Sequence, residues 1–129
     1  MKSQPYLTSI LLVGVLIPAA AGQDAPYTVE KGNQVDARTY AVWQTLRQMD
    51  CARCHGSDWN GSVGPSILAY VRSQSRESFA RIVLQGNPAQ GMPGYQGAPR
   101  VADEIGAIYG YFRGVAAGDI PAGKLELRK

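Results

Sequence analysis

The sequence predicts an all-α fold of three to five helices, on three observations. Apolar residues recur at helical spacing in several stretches, residues that start and stop helices flank those stretches, and nowhere do apolar and polar residues alternate as in a strand. The first helix is read from Ala37 to about Asp50, capped by Asp36, with Tyr40, Trp43 and Leu46 on one face. A short second helix, Ile67 to Arg72, follows Gly64-Pro65. Ser75 opens a third, which carries Phe79, Ile82 and Val83 and stops at Gly86. The last is read from Val101 to Ala117, where Ile105, Ile108, Tyr109 and Phe112 recur at i, i+3, i+4 and i+7. Asp103 and Glu104 fall in its first turn and Arg113 in its last, as the helix dipole prefers, and Gly118 ends it. The Gly- and Pro-rich stretches 56–65 and 87–99 read as loops, and residues 119–129 as a tail that either packs or hangs free.

The chain has 129 residues, one ordinary domain at most. Lys2, the apolar run Ile10 to Ile17, and Pro18 followed by Ala19-Ala20-Ala21-Gly22 form the order of a secretory signal peptide. The alternative, an uncleaved membrane anchor, needs roughly 20 apolar residues, and the run is far shorter. Residues 1–22 are therefore read as a signal peptide, 23–35 as a polar leader and 36–129 as the folded domain, periplasmic after export. Loss of Lys2 lowers the formal net charge by one from +3, which gives no reason to expect nucleic-acid binding. Arg72, Arg76, Arg81 and Arg100 face only Glu77 within residues 61–100. They are candidates for a basic docking surface, although a solvated helix face explains the same residues and is the preferred reading.

The chemistry is carried by Cys51-Ala52-Arg53-Cys54-His55, the C-x-x-C-H signature of covalent haem attachment. The chain has 2 cysteines and 1 histidine, and random placement would produce this pattern on the order of 1 time in 10,000. Two thiols must each add to one of two vinyl groups on the same porphyrin edge, and the next residue is then carried under the ring, where its imidazole reaches the iron. A disulfide between the cysteines leaves His55 unexplained. A thioredoxin-like dithiol expects a βαβ setting that is missing here, and a zinc site wants about four ligands. Haem c is the cofactor this reading requires, and its flat apolar ring supplies core that the loops cannot.

A sixth iron ligand must come from elsewhere. Met/His ligation is the recurrent choice among electron-transfer cytochromes c. Met1 leaves with the signal peptide, and Met49, two residues before Cys51, suits the core. Met92 lies in Gly91-Met92-Pro93-Gly94-Tyr95, an otherwise polar loop long enough to wrap the opposite face. The assignment is Met92. If Met92 did not ligate, an open peroxidase-like or gas-binding haem would be the reading instead.

C-x-x-C-H near the end of a first helix, Gly64-Pro65 with Ile67, Met92-Pro93 with Tyr95, and a final amphipathic helix together resemble the class I cytochrome c family over about residues 36–117. The resemblance implies a monohaem electron carrier with no catalytic residues. It also implies a hydrogen bond from the His55 ring N–H to the Pro65 carbonyl, and a crossing of the first and last helices with Gly106 and Gly110 easing the approach. More narrowly, YTVEKGNQVDARTY, GNPAQGMPGY and GDIPAGK are similar to small cytochromes that accept electrons from periplasmic quinoprotein (pyrroloquinoline quinone) alcohol or methanol dehydrogenases. That resemblance implies such a dehydrogenase as donor and a terminal oxidase downstream. A haem subunit of a larger redox complex is the alternative that the sequence leaves open.

Overall fold

A computed structural model describes residues 27–129. The signal-peptide reading of residues 1–22 lies outside the described residues. The described chain runs β1 (Val29–Glu30), β2 (Gln34–Val35), α1 (Ala37–Gln48), α2 (Ala52–His55), α3 (Ile67–Ser73), α4 (Arg76–Gln85), α5 (Pro99–Ala102), α6 (Ile105–Ala117) and β3 (Glu126–Leu127), with a 3-10 turn at Pro88–Gln90. The helical reading holds. Helices of seven residues or more are α1, α3, α4 and α6, and the remaining two are single turns.

Helix starts follow their caps. Asp36 accepts a hydrogen bond from Thr39 N at 2.9 Å, Ser66 from Ala69 N at 3.0 Å and Ser75 from Ser78 N at 3.1 Å. Each satisfies one of the backbone donors that a helix start leaves open. Asp36 also takes Thr28 N at 2.6 Å and the Thr39 hydroxyl at 2.8 Å, which ties the segment before α1 to its first turn. Burial pushes the Asp36 pKa up, but the hydrogen bonds from Thr28 and Thr39 together outweigh it and hold the carboxyl below its ordinary value.

Helix α6 is the spine, packed against α1, α3, α4 and α5. It buries Ile108, Gly110, Tyr111, Phe112, Gly114 and Val115. Around it, Val42, Trp43 and Leu46 of α1, Leu68 and Val71 of α3, and Phe79 of α4 complete the core. The helix expected to begin at Val101 is instead broken after Ala102, because Asp103 ends α5 and Glu104 takes the N-cap position of α6 with no side-chain cap. Those two acidic residues therefore sit at a junction, and Arg38 from α1 pairs with Glu104 there at 3.1 Å. Gly106 does not ease the approach of α1. The space that its missing Cβ leaves is filled by the Arg76 guanidinium from α4.

The two ends of the described chain close on one another. β2 pairs antiparallel with β1 and parallel with β3, in the order β1-β2-β3. Val35, Ile120 and Leu125 are buried beneath this small sheet. The Tyr27 hydroxyl donates to Asp119 at 2.7 Å, and its ring and Ile120 cover the bare backbone of Gly114. The described part of the leader, residues 27–35, and the tail thus belong to the folded body.

Candidate functional site

Helix α1 stops at Met49, whose N–H bonds back to Thr45, and Asp50 follows with φ 55°. This left-handed step starts the chain on a new single turn, α2. Cys51 is its N-cap and Cys54 lies three residues on, so both thiols emerge on one side of the turn with His55 next to them. Neither cysteine is bridged; Cys54 is exposed and Cys51 half-buried against the core. Burial first, and then the charges of Asp50 and Cys54, push the Cys51 thiol up to about 11. A thiol held protonated in this way is a poor partner for disulfide exchange, unlike the activated cysteine of a redox dithiol.

The His55 ring is fixed from behind. Its Nδ1 lies 2.7 Å from the Pro65 carbonyl oxygen. A carbonyl only accepts, so Nδ1 carries the proton and Nε2 keeps its lone pair for a metal. The loop that delivers Pro65 is laced to α2: Gly61 N donates to His55 O at 2.8 Å and Gly64 N to Cys54 O at 2.7 Å. A side chain at Gly64 would press on the imidazole, since its Cβ would lie 3.3 Å from the ring.

Met92 is half-buried in the loop after α4. It exchanges backbone hydrogen bonds with Asn87, at 2.9 and 3.1 Å, which closes a tight turn around Gly91. Tyr95 N and Gln96 N then donate to Val83 and Leu84 at 3.1 Å, so the loop is pinned along the end of α4. The close approach needs glycine: Gly86 has φ +73°, and a Cβ there would lie 2.5 Å from Gly94 N. Burial, then the nearby Cys51, Cys54 and Asp50, raise the Tyr95 pKa, which places this phenol at the cysteine edge. The structure thus brings the methionine loop to the cysteine and histidine turn, although 37 positions separate Cys54 and Gly91 in sequence terms. Met49, by contrast, packs with the core.

These residues fit a haem c. Two free thiols share one edge, one imidazole nitrogen is left for iron, and a thioether stands in a pinned loop. Among the described residues no group of three or more His, Cys, Asp or Glu side chains is arranged to hold a bare metal ion. Two residues that the motifs did not single out also shape the site. Tyr95 links the methionine loop to the cysteines. Trp59 has φ 66° and buries its indole against Tyr111 and Phe112, with ring centroids 6.4 and 5.2 Å away. The turn sequence Asp58-Trp59-Asn60-Gly61 marks a turn at the second but does not show that its indole is buried.

The four arginines do not gather at this site. Arg72 donates to Ala116 O at 3.1 Å near the end of α6, Arg76 lies on Gly106 near its start, and Arg100 donates to Gln48 at the end of α1. Arg81 is exposed on α4.

Comparison with known proteins agrees with this geometry. The family model described as cytochrome C oxidase, cbb3-type, subunit III, matches residues 37–112. Cytochrome c-555 of Methylococcus capsulatus is 36% identical over 93 residues, 71% of this chain and 74% of that protein. In fold the chain is similar to the crystal structure of the c-type cytochrome XoxG from Methylobacterium extorquens AM1, with a TM-score of 0.66 at 24% identity over 84% of this chain and 77% of that one. It is also similar to the c-type cytochrome NirC, with a TM-score of 0.51 at 33% identity over 67% of this chain and 98% of that one. With a helical body built around a C-x-x-C-H turn and relatives of this kind, the chain belongs to the c-type cytochromes, with the class I cytochrome c fold, and is a monohaem electron-transfer protein whose cofactor is covalently bound haem c.

Proposed function

We propose that this chain is an exported periplasmic carrier of single electrons, with haem c attached through Cys51 and Cys54 and its iron held by His55 Nε2 and Met92 Sδ. When bound, haem c supplies the one-electron ferric/ferrous couple. The observation that carries the reading is the 2.7 Å contact between His55 Nδ1 and Pro65 O. It supports a proton on Nδ1, which would leave Nε2 free for the iron and make the imidazole a more basic ligand, as hydrogen-bond partners behind metal-bound histidines do. Met92 closes the remaining coordination position against water and small molecules, which suits a carrier and not a catalyst.

Met92→Ala is the test. The wild-type ferric protein should show a weak near-infrared sulfur-to-iron band, and the variant should lose that band, fall in reduction potential and bind cyanide more readily. A wild-type spectrum that is high-spin at neutral pH, or one that the substitution leaves unchanged, would sink the assignment. Export is tested by the mass of the holoprotein. The chain should begin near Gln23, and an intact Met1 in a membrane fraction would overturn that part.

For the donor, we propose a pyrroloquinoline quinone alcohol or methanol dehydrogenase, with electrons passing on toward a terminal oxidase. The support is the similarity of the leader, methionine loop and tail to carriers of that kind. A second reading, a haem subunit held in a larger complex, is favoured by one observation: the matching family model describes an oxidase subunit. Size-exclusion chromatography of a native extract separates the two, because a carrier elutes at the size of the single chain.

A further inference from the structure

Trp59 is the residue whose placement the haem reading leaves unexplained. Its backbone is left-handed at φ 66°, a conformation that bulky side chains rarely take, and its indole is 3% exposed. Three sets of contacts converge on it. The indole packs edge-on against Tyr111 and Phe112 of α6, at interplanar angles of 88° and 78°. The Trp59 backbone N–H donates to Gly56 O at 3.1 Å, just past His55. Its carbonyl accepts from Ile67 N at 3.0 Å, Leu68 N at 3.4 Å and the Ser66 hydroxyl at 3.4 Å. Those three donors form the start of α3, and the residue before them is Pro65. Trp59 therefore ties the end of α2, the start of α3 and the middle of α6 to one another.

We propose that Trp59 is a positioning residue for His55: anchored on α6, it fixes the start of α3 so that the Pro65 carbonyl stays on His55 Nδ1. The loop between Gly56 and Pro65 holds three glycines and buries no other large side chain. Its own lacing to α2 leaves its distance from α3 undetermined, and the Trp59 carbonyl sets that distance. The left-handed backbone turns the carbonyl toward α3 while the ring stays in the core. A glycine would accept the same backbone but would have nothing to hold it on α6. The proposal rests on His55 being the haem ligand.

Proton NMR of the ferrous holoprotein tests both statements separately. In the wild type, the His55 ring signals should carry the large upfield displacement of a haem ligand, and Nδ1–H should exchange slowly with solvent. Trp59→Gly should speed that exchange by about tenfold or more, because the Pro65 contact opens without global unfolding. Trp59→Leu, which keeps apolar volume where the glycine variant fails to hold haem, should also speed it. Trp59→Phe, which retains ring contacts with Tyr111 and Phe112, should restore slow exchange to within about twofold. Exchange at the wild-type rate in the leucine or glycine variant, even with a lowered Tm, would overturn the proposal and leave Trp59 as core packing alone. Absence of the upfield displacement in the wild type would remove the ligand reading and the proposal together.

Discussion

Tyr111 shows how one buried side chain can set a pH limit on the whole protein. Its ring is 2% exposed between Trp59 and Phe112, and neither its hydroxyl nor the Trp59 indole N–H has a well-formed hydrogen bond. Burial pushes its pKa up to about 12, and the nearby indole N–H only partly offsets this without reaching proper hydrogen-bond geometry. Tyr27 reaches about 12 through burial and then through its hydrogen bond to Asp119. An unfolded tyrosine ionises near 10. Between about pH 10 and pH 12 the unfolded chain thus binds fewer protons than the folded one, and stability falls as pH rises; below pH 10 the contribution is fully present. Tyr111→Phe should remove on the order of 2 kcal/mol of that alkaline loss. Urea midpoints at pH 8 and pH 11 measure it. If wild type and variant lose the same stability, the alkaline weakness lies in another group. At this scale the haem-attachment turn Cys51–His55 was legible in the sequence as one local signature, whereas Met92 as ligand stands on elimination and is a proposal. Trp59 was not legible, because nothing in a turn sequence says that its tryptophan is buried in a left-handed conformation.

Among the elements, α1 and α4 were readable where a cap residue preceded an apolar period, as at Asp36 and Ser75, and α3 from the Gly64-Pro65 pair before it, while its Ser66 cap came from the structure. The break between α5 and α6 was not readable. Asp103 and Glu104 suit a first helical turn as well as a junction, and only the packing of Val101 in the core and the pairing of Glu104 with Arg38 distinguish the two. The strands escaped for a different reason. Each spans two residues, too few to show alternation, and β3 is created by its parallel partner β2 across the length of the domain. This end-to-end clasp closes tightly on Gly114 of α6. A Cβ there would lie 2.6 Å from the Ile120 side chain and 2.8 Å from the Tyr27 ring. Gly114→Ala ordinarily gains from helix propensity, but here the overpacking should cost about 1–3 kcal/mol. Thermal unfolding of the holoprotein should show Tm lowered by roughly 4–8 °C per kcal/mol. A rise in Tm would mean that the tail moves aside freely and that the clasp contributes little.

Across the whole molecule, the two segments that deliver Pro65 and Met92 carry no charge, although Asp50, Arg53 and Asp58 lie on or beside the cysteine turn, and this bears on how a partner docks. No charged residue occurs between Trp59 and Val71 or between Ile82 and Pro99, the two segments that carry Pro65 and Met92. Val63, beside the cysteine turn, is 86% exposed, the most exposed large apolar side chain among the described residues. Arg72, Arg76 and Arg100 are engaged with Ala116, Gly106 and Gln48. If residues 1–22 are removed as a signal peptide, the formal charge falls from +3 to +2, and two ionised haem propionates would bring it to about zero. Long-range steering therefore has little to act on, and a weak encounter would rely on desolvation of a small neutral patch, as brief redox contacts do. Stopped-flow reduction by a pyrroloquinoline quinone alcohol dehydrogenase should change by less than about threefold between 0.01 M and 0.15 M salt, over which the Debye length falls from about 30 Å to about 8 Å. Val63→Glu should slow the second-order rate by roughly tenfold and leave the haem spectrum intact, because a charge must then be desolvated at the contact. Arg72→Glu with Arg81→Glu should leave the rate near wild type. A steep salt dependence, or a strong effect of the arginine pair with none from Val63, would restore electrostatic docking on the α3–α4 face. Negligible reduction at every salt concentration would remove the dehydrogenase as donor while leaving the electron-carrier assignment in place.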